Sequence, residues 1–240
     1  MFPQAKSPSR SDGFILIAGI NIRFHAKSTD RGLDRYSAFI SAKNAGAHAA
    51  SRRSAIVYGG NPYAFENDLR KTVAVELARR GGFLLHASGA APLNKSDGRR
   101  RNATVFCGKS GSGKSTIAAE FPAGDVLSDE LVAIARRSDG YVACATPFRG
   151  MLSEPGPAFE APLGRVFFLK KSARLAVKPS PERLTFRRII RNILLPKPSD
   201  TGAAAKLMFK NAADFASRVK CRELRFARED IGAIRKMAER

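Results

Sequence analysis

The run Gly108-Lys109-Ser110-Gly111-Ser112-Gly113-Lys114-Ser115 fills every fixed position of the pattern glycine, four residues, glycine, lysine, then serine or threonine. The glycines of such a loop turn successive N–H groups inward as an anion nest. A helix opening near Lys114 adds the positive end of its dipole. Lys114 offers a full charge to β- and γ-phosphates, Ser115 offers a hydroxyl to Mg²⁺, and Thr116 completes the cradle. The loop needs a strand before it and a helix after it. Ala103–Cys107 reads as the strand; Lys114–Phe121 reads as a short helix closed by Pro122 and Gly124. The expectation is an α/β fold, a P-loop-containing mixed sheet flanked by helices, that binds a nucleoside triphosphate with Mg²⁺.

A chain of 240 residues buries a proper core without disulfides or metals. Its net charge of +21 attracts polyanions, from nucleotides to acidic proteins. The basic residues are scattered along the chain, which argues against a dedicated nucleic-acid arm. Cys107, Cys144 and Cys221 show no metal spacing and suit a reducing, cytoplasmic setting. No apolar run reaches the roughly 18 residues of a membrane span, and the start reads as a loose tail over residues 1–12.

A small β-rich N-terminal lobe is expected over 13–60, with Phe14–Phe24 and Ala55–Tyr58 strand-like and 25–54 weakly patterned. The remainder, 61–240, reads as one P-loop domain. Asn61-Pro62 opens a helix whose apolar stripe is Phe65, Leu69, Val73 and Leu77, ended by Gly81-Gly82. Phe83–Ala87 is a buried strand carrying His86, joined to the loop strand by a polar hairpin turn over 94–102. Asp125–Leu127 and Glu130–Arg136 read as strand around Ser128-Asp129, and Tyr141–Ala145 as another. Leu163–Lys170 and Arg174–Lys178 are expected to pair. Phe186, Ile189, Ile190, Ile193 and Leu194 mark a core-facing helix stopped by Pro196 and Pro198. Arg183, Arg187 and Arg191 lie four apart on it, widened by Arg188, as a side that docks an acidic acceptor. A helix over 201–217, a strand over 219–226 and a helix over 229–239 complete the chain.

Asp129 and Glu130 follow Lys114 by about fifteen residues. One short helix and one short strand return them to the loop, where one acid would hold Mg²⁺ and one would accept a proton. His86 is the polar member of an apolar strand that the hairpin brings toward the phosphates.

Together these pieces resemble the HPr serine kinase family and its shorter relatives, related in fold to ATP-dependent phosphoenolpyruvate carboxykinase. The resemblance runs from about Phe65 to Phe226. It rests on Gly82-Phe83-Leu84-Leu85-His86-Ala87-Ser88-Gly89, the P-loop, and Val126-Leu127-Ser128-Asp129-Glu130. Thr146-Pro147-Phe148 and Val166-Phe167-Phe168-Leu169 also look like the shorter relatives.

The resemblance implies a fold like the kinase's C-terminal domain. It also implies transfer of the γ-phosphoryl group of ATP, with Mg²⁺, to a serine of a protein or peptide. It carries active-site roles onto His86, Lys114, Ser115, Asp129 and Glu130, with Asp129 as base and Mg²⁺ ligand and Glu130 as its helper. Family members often oligomerise. Two departures stand out: Glu130 replaces the usual second Asp, and Pro147-Phe148-Arg149-Gly150-Met151-Leu152 lacks the Glu tied to the reverse phosphorolysis reaction. HPr itself and a short precursor peptide both stay open as acceptor. The rival readings are a nucleotide-binding regulatory module without transfer activity and a nucleic-acid-linked ATPase. The second has no further nucleotide motif and no aromatic, basic stacking strip to support it.

Overall fold

A computed structural model describes residues 10–27, 40–41, 55–58, 62–152, 157–195 and 202–239. Residues 1–9 of the tail expected over 1–12, most of 25–54, the Asn61 cap and the Pro196 and Pro198 stop lie outside the described residues, and residues 10–12 belong to a strand rather than to the tail. The apolar run expected as one strand at 14–24 is instead part of a hairpin of β1 (Arg10–Ile17) and β2 (Ile20–Lys27). Ala18 and Gly19 break the run with φ of 53° and 75°, turn angles that reverse the chain. Short strands β3 (Ile40–Ser41) and β4 (Ala55–Tyr58) extend the hairpin into a small sheet of order β3-β1-β2-β4.

Helix α1 (Pro62–Arg79) buries the predicted stripe of Phe65, Leu69, Val73 and Leu77. Strands β5 (Phe83–Ala90) and β6 (Ala103–Cys107) then form an antiparallel pair, as the polar turn between them foretold. Next come α2 (Lys114–Ala118), β7 (Val126–Ser128), β8 (Leu131–Arg137), β9 (Gly140–Cys144), β10 (Glu160–Lys171) and β11 (Ala176–Pro179). Helices α3 (Glu182–Ile190) and α4 (Gly202–Arg218), strand β12 (Arg222–Phe226) and helix α5 (Ile231–Ala238) end the chain.

The main sheet is mixed, in the order β11-β12-β10-β6-β5-β8-β9, with β7 on β5. Long β10 runs parallel to β6 and β12, while its first residues meet β9 antiparallel. β10 and β11 do not pair as expected: β12 lies between them, antiparallel to β11. Strand β12 carries Leu224 and Phe226 into the core between its charged residues, whereas β11 is largely exposed and suits the edge.

Both sheet faces are covered. On one side α2 and α5 close over Phe106, Phe167, Leu224 and Phe226. On the other, α1, α3 and α4 close over Leu85, Val105, Cys107 and Phe168 together with the N-terminal hairpin. The predicted last turn of α3 does not form. Ile193 bridges to Leu85, and the Leu194 N–H donates to the Leu84 carbonyl at 3.0 Å, so this apolar segment pairs with β5. Among the described residues no helix is long and apolar enough to cross a membrane.

Candidate active site

Strand β6 delivers the chain to the glycine-rich loop and α2 carries it away. Gly113 stands just before α2 at φ 100°, a left-handed angle that side chains resist, and a Cβ there would come 3.0 Å from Phe226 Cζ. A Cβ at Gly108 would collide with Ser112 Oγ. Lys114 is buried in the first turn of α2. Its Nζ folds back to donate to the carbonyls of Gly108 at 2.8 Å and Lys109 at 3.0 Å. Burial pulls its pKa below the usual lysine value, and among the described residues no carboxylate pairs with it. Ser112 Oγ is buried with no hydrogen-bond partner among the described residues. Ser115 is half-buried and Thr116 exposed on the same helix. Ser88 Oγ donates to the Lys114 carbonyl at 2.9 Å, pinning the start of α2 to β5.

Strand β5 changes partner at His86. Residues Phe83–His86 pair with β8 and Ala87–Ala90 with β6. The register Ala87↔Cys107 sets His86 beside the start of the loop, and His86↔Leu131 sets it beside Glu130. The His86 N–H donates to the Asn192 carbonyl at 2.6 Å, which ties in the segment after α3. Burial lowers the His86 pKa, the Lys114 and Arg70 charges lower it further, and Glu130 opposes them. The ring is therefore neutral at pH 7, with one nitrogen able to accept a proton.

A lowered pKa means that the unfolded chain takes up the proton first. Stability is present above the ordinary His value of about 6.5 and is lost as pH falls through it toward the folded value. His86→Gln should flatten that part of the melting-temperature profile relative to wild type. Identical slopes between pH 5 and 7 would show that the ring is not held neutral.

The acid turn is built by Ser128. Its Oγ donates to the Phe148 carbonyl at 2.6 Å and accepts the N–H groups of Glu130 and Leu131 at 3.1 and 3.0 Å. Asp129 is buried and accepts from the N–H groups of Gly150 at 2.9 Å, Met151 at 2.7 Å and Leu152 at 3.1 Å. A carboxylate has about four lone-pair sites, so about one is left. Glu130 is held two-pronged by Arg70, at 3.0 and 2.8 Å, and Arg70 also bonds Glu66. Arg70 went unnoticed in the sequence because it flanks the apolar stripe of α1 and lies 60 positions from Glu130. Arg149, beside Asp129, has Nε and Nη2 buried without a hydrogen-bond partner among the described residues. Burial lowers its pKa, against the pull of Asp129.

Two cavities flank the loop. One, of about 650 Å³, is lined by His86, the loop residues 107–112, the end of β10 and the segment Arg188–Asn192. The other, of about 860 Å³, lies against Gly113 and Thr116 and is walled by Phe226, Arg228 and Ile231. Arg183, Arg187 and Arg191 are exposed as expected, but Arg188 does not widen their side. Arg188 pairs with Glu223 and sits 5.1 Å from the Phe168 ring centroid, whereas Arg191 lines the smaller cavity. Among the described residues no group of three His, Cys, Asp or Glu side chains is arranged to hold a metal by itself. No protein-family model and no curated protein matches the chain.

Proposed function

We propose that the chain is an ATP-dependent kinase of the HPr-kinase-like P-loop type, moving the γ-phosphoryl group to a serine hydroxyl of a protein or peptide. The observation that carries this reading is the convergence on β5. Ser88 holds Lys114, His86 stands at the loop, and Ala87 N–H reaches the Glu130 carbonyl at 3.0 Å. The loop fits a triphosphate: a buried ammonium sits in it without a carboxylate, and Ser112 Oγ has a hydrogen bond to give. Phosphates lie along the loop with β and γ toward Lys114. The nucleoside then occupies the larger cavity against Phe226 and Ile231, and the γ-phosphate faces the smaller one beside His86. Mg²⁺ would be held by Ser115 and the remaining site on Asp129, and would neutralise charge on the phosphates.

In this reading His86 accepts the proton of the attacking hydroxyl, because its ring is neutral while both carboxylates are engaged. Asp129 orders the 148–152 segment, and Glu130 fixes Arg70 beside the site. The engagement of both carboxylates also favours a second reading, a regulatory module that binds nucleotide without transferring phosphate. Labelled ATP separates the two. With label at the γ position, radioactivity should appear on serine of added protein or peptide, and with label at the α position it should not. Saturable MgATP binding without any transfer would leave the regulatory module standing.

A further inference from the structure

The smaller cavity receives more positive charge than a triphosphate loop supplies by itself. Strand β10 pairs with β6 only as far as Phe168↔Cys107, then continues for three residues beside the loop. Its last two, Lys170 and Lys171, are both exposed and both line the cavity. Along a strand successive side chains alternate, so Lys170 shares the face of Phe168, the face covered by α3. Across from it stands Arg191, also exposed, just past the end of α3. That position is fixed, because the next residue takes the His86 N–H on its carbonyl and Leu194 is bonded to Leu84.

The one carboxylate in the cavity wall, Glu223, is already shared between Arg188 and Arg225. Among the described residues no carboxylate pairs with Lys170, Lys171 or Arg191. Lys170 and Arg191 therefore stand, without a paired carboxylate among the described residues, at the mouth through which an acceptor hydroxyl would have to reach His86, and Lys171, on the opposite face of the strand, lines both cavities.

Resting on the kinase reading above, we infer that this cavity selects an acidic peptide acceptor, a serine with Asp or Glu on both sides of it in the chain. The cations belong to two separate elements and sit at an exposed rim. They suit carboxylates spread along a chain on either side of a hydroxyl better than one compact anion. Acidic flanks are drawn in and basic flanks are repelled, so the rim sets partner choice and encounter more than the chemical step. The seat is the cavity rim of Lys170 and Arg191, with Lys171 at the border of the two cavities. The outer side of α3 is not needed.

The test uses the full chain, γ-labelled ATP with Mg²⁺, and a peptide library with a fixed central serine and degenerate flanks. Acidic residues should be enriched about two- to fivefold at each responsive position, the range of an exposed ion pair. Adding about 0.5 M salt should shrink that enrichment, since screening shortens electrostatic reach to a few Å. The double charge reversal Lys170→Glu with Arg191→Glu should switch the preference to Lys and Arg while MgATP affinity stays within about twofold, because neither residue lines the nucleoside cavity. Labelling without acidic preference, or the same preference in the variant, would overturn the inference and leave the kinase standing. So would labelling of a small hydroxy acid such as glycerate with no peptide labelled. A parallel loss of MgATP affinity in the variant would assign these cations to the nucleotide and equally overturn it. A wild-type chain that binds no MgATP would remove the underlying reading and the inference together.

Discussion

Lys114→Ala should weaken MgATP binding by more than about tenfold, the worth of one charge-assisted contact to phosphate. It should lower transfer by a further factor on the order of 10²–10³, because the lost charge is aimed where the transferring group gains negative charge. Its melting temperature should hold. The ammonium is buried, its pKa is drawn down by that burial, and it donates only to the carbonyls of Gly108 and Lys109. Removing it relieves a desolvation cost that offsets two hydrogen bonds. Equal MgATP affinity in variant and wild type, measured by calorimetric titration, would remove Lys114 from the phosphate site.

Asp129→Asn should cost both function and stability. From sequence alone the acid reads as a side chain on a turn, replaceable without structural loss. The structure has it accepting three backbone N–H groups from residues 150–152. Asparagine would turn one oxygen into a donor facing other donors. Each partly buried N–H left without an acceptor costs about 1–3 kcal/mol. For a chain of this size that lowers the melting temperature by roughly 2–4 °C per kcal/mol. The loss also leaves the half-buried Arg149 without its neighbouring negative charge. Transfer should fall by about 10²–10⁴-fold as the segment beside the acid turn comes away and the Mg²⁺ ligand is lost. Calorimetric melting and a rate per folded molecule check the two effects separately. A variant with wild-type melting and wild-type transfer would reduce Asp129 to a solvated turn residue.

Features carried by local pattern were legible before any coordinates. The glycine spacing of residues 108–115 announces strand, loop and helix, because its glycines answer local demands: Gly108 leaves room for Ser112, Gly113 leaves room for Phe226, and Gly111 holds a φ of 73°. The four-residue rhythm of Phe65, Leu69, Val73 and Leu77 announces α1, and all four are buried. His86 could be placed near the loop because a short polar turn makes its strand antiparallel to β6. Long-range choices were not legible. No local signal says that Arg70 crosses 60 positions to hold Glu130, or that β12 inserts between β10 and β11. The end of α3 shows the same limit. Ile193 continues the helical rhythm, yet a bridge to Leu85 on β5 takes it out of the helix. Arg188 looks like a surface residue by spacing, but Glu223, 35 positions away, claims it.

A kinase of the proposed type needs this loop to hold a nucleoside triphosphate, with the phosphates at Lys114 and the base against Phe226. The most direct measurement is a paired equilibrium titration of the full wild-type chain with MgATP and with magnesium tripolyphosphate. Both ligands should saturate one site, because the loop grips phosphates. ATP should bind at least about tenfold more tightly, because only it fills the apolar cavity beside Gly113 and Thr116. Saturation by neither ligand would contradict the account at its base, and equal affinity for the two would empty the nucleoside cavity of its role.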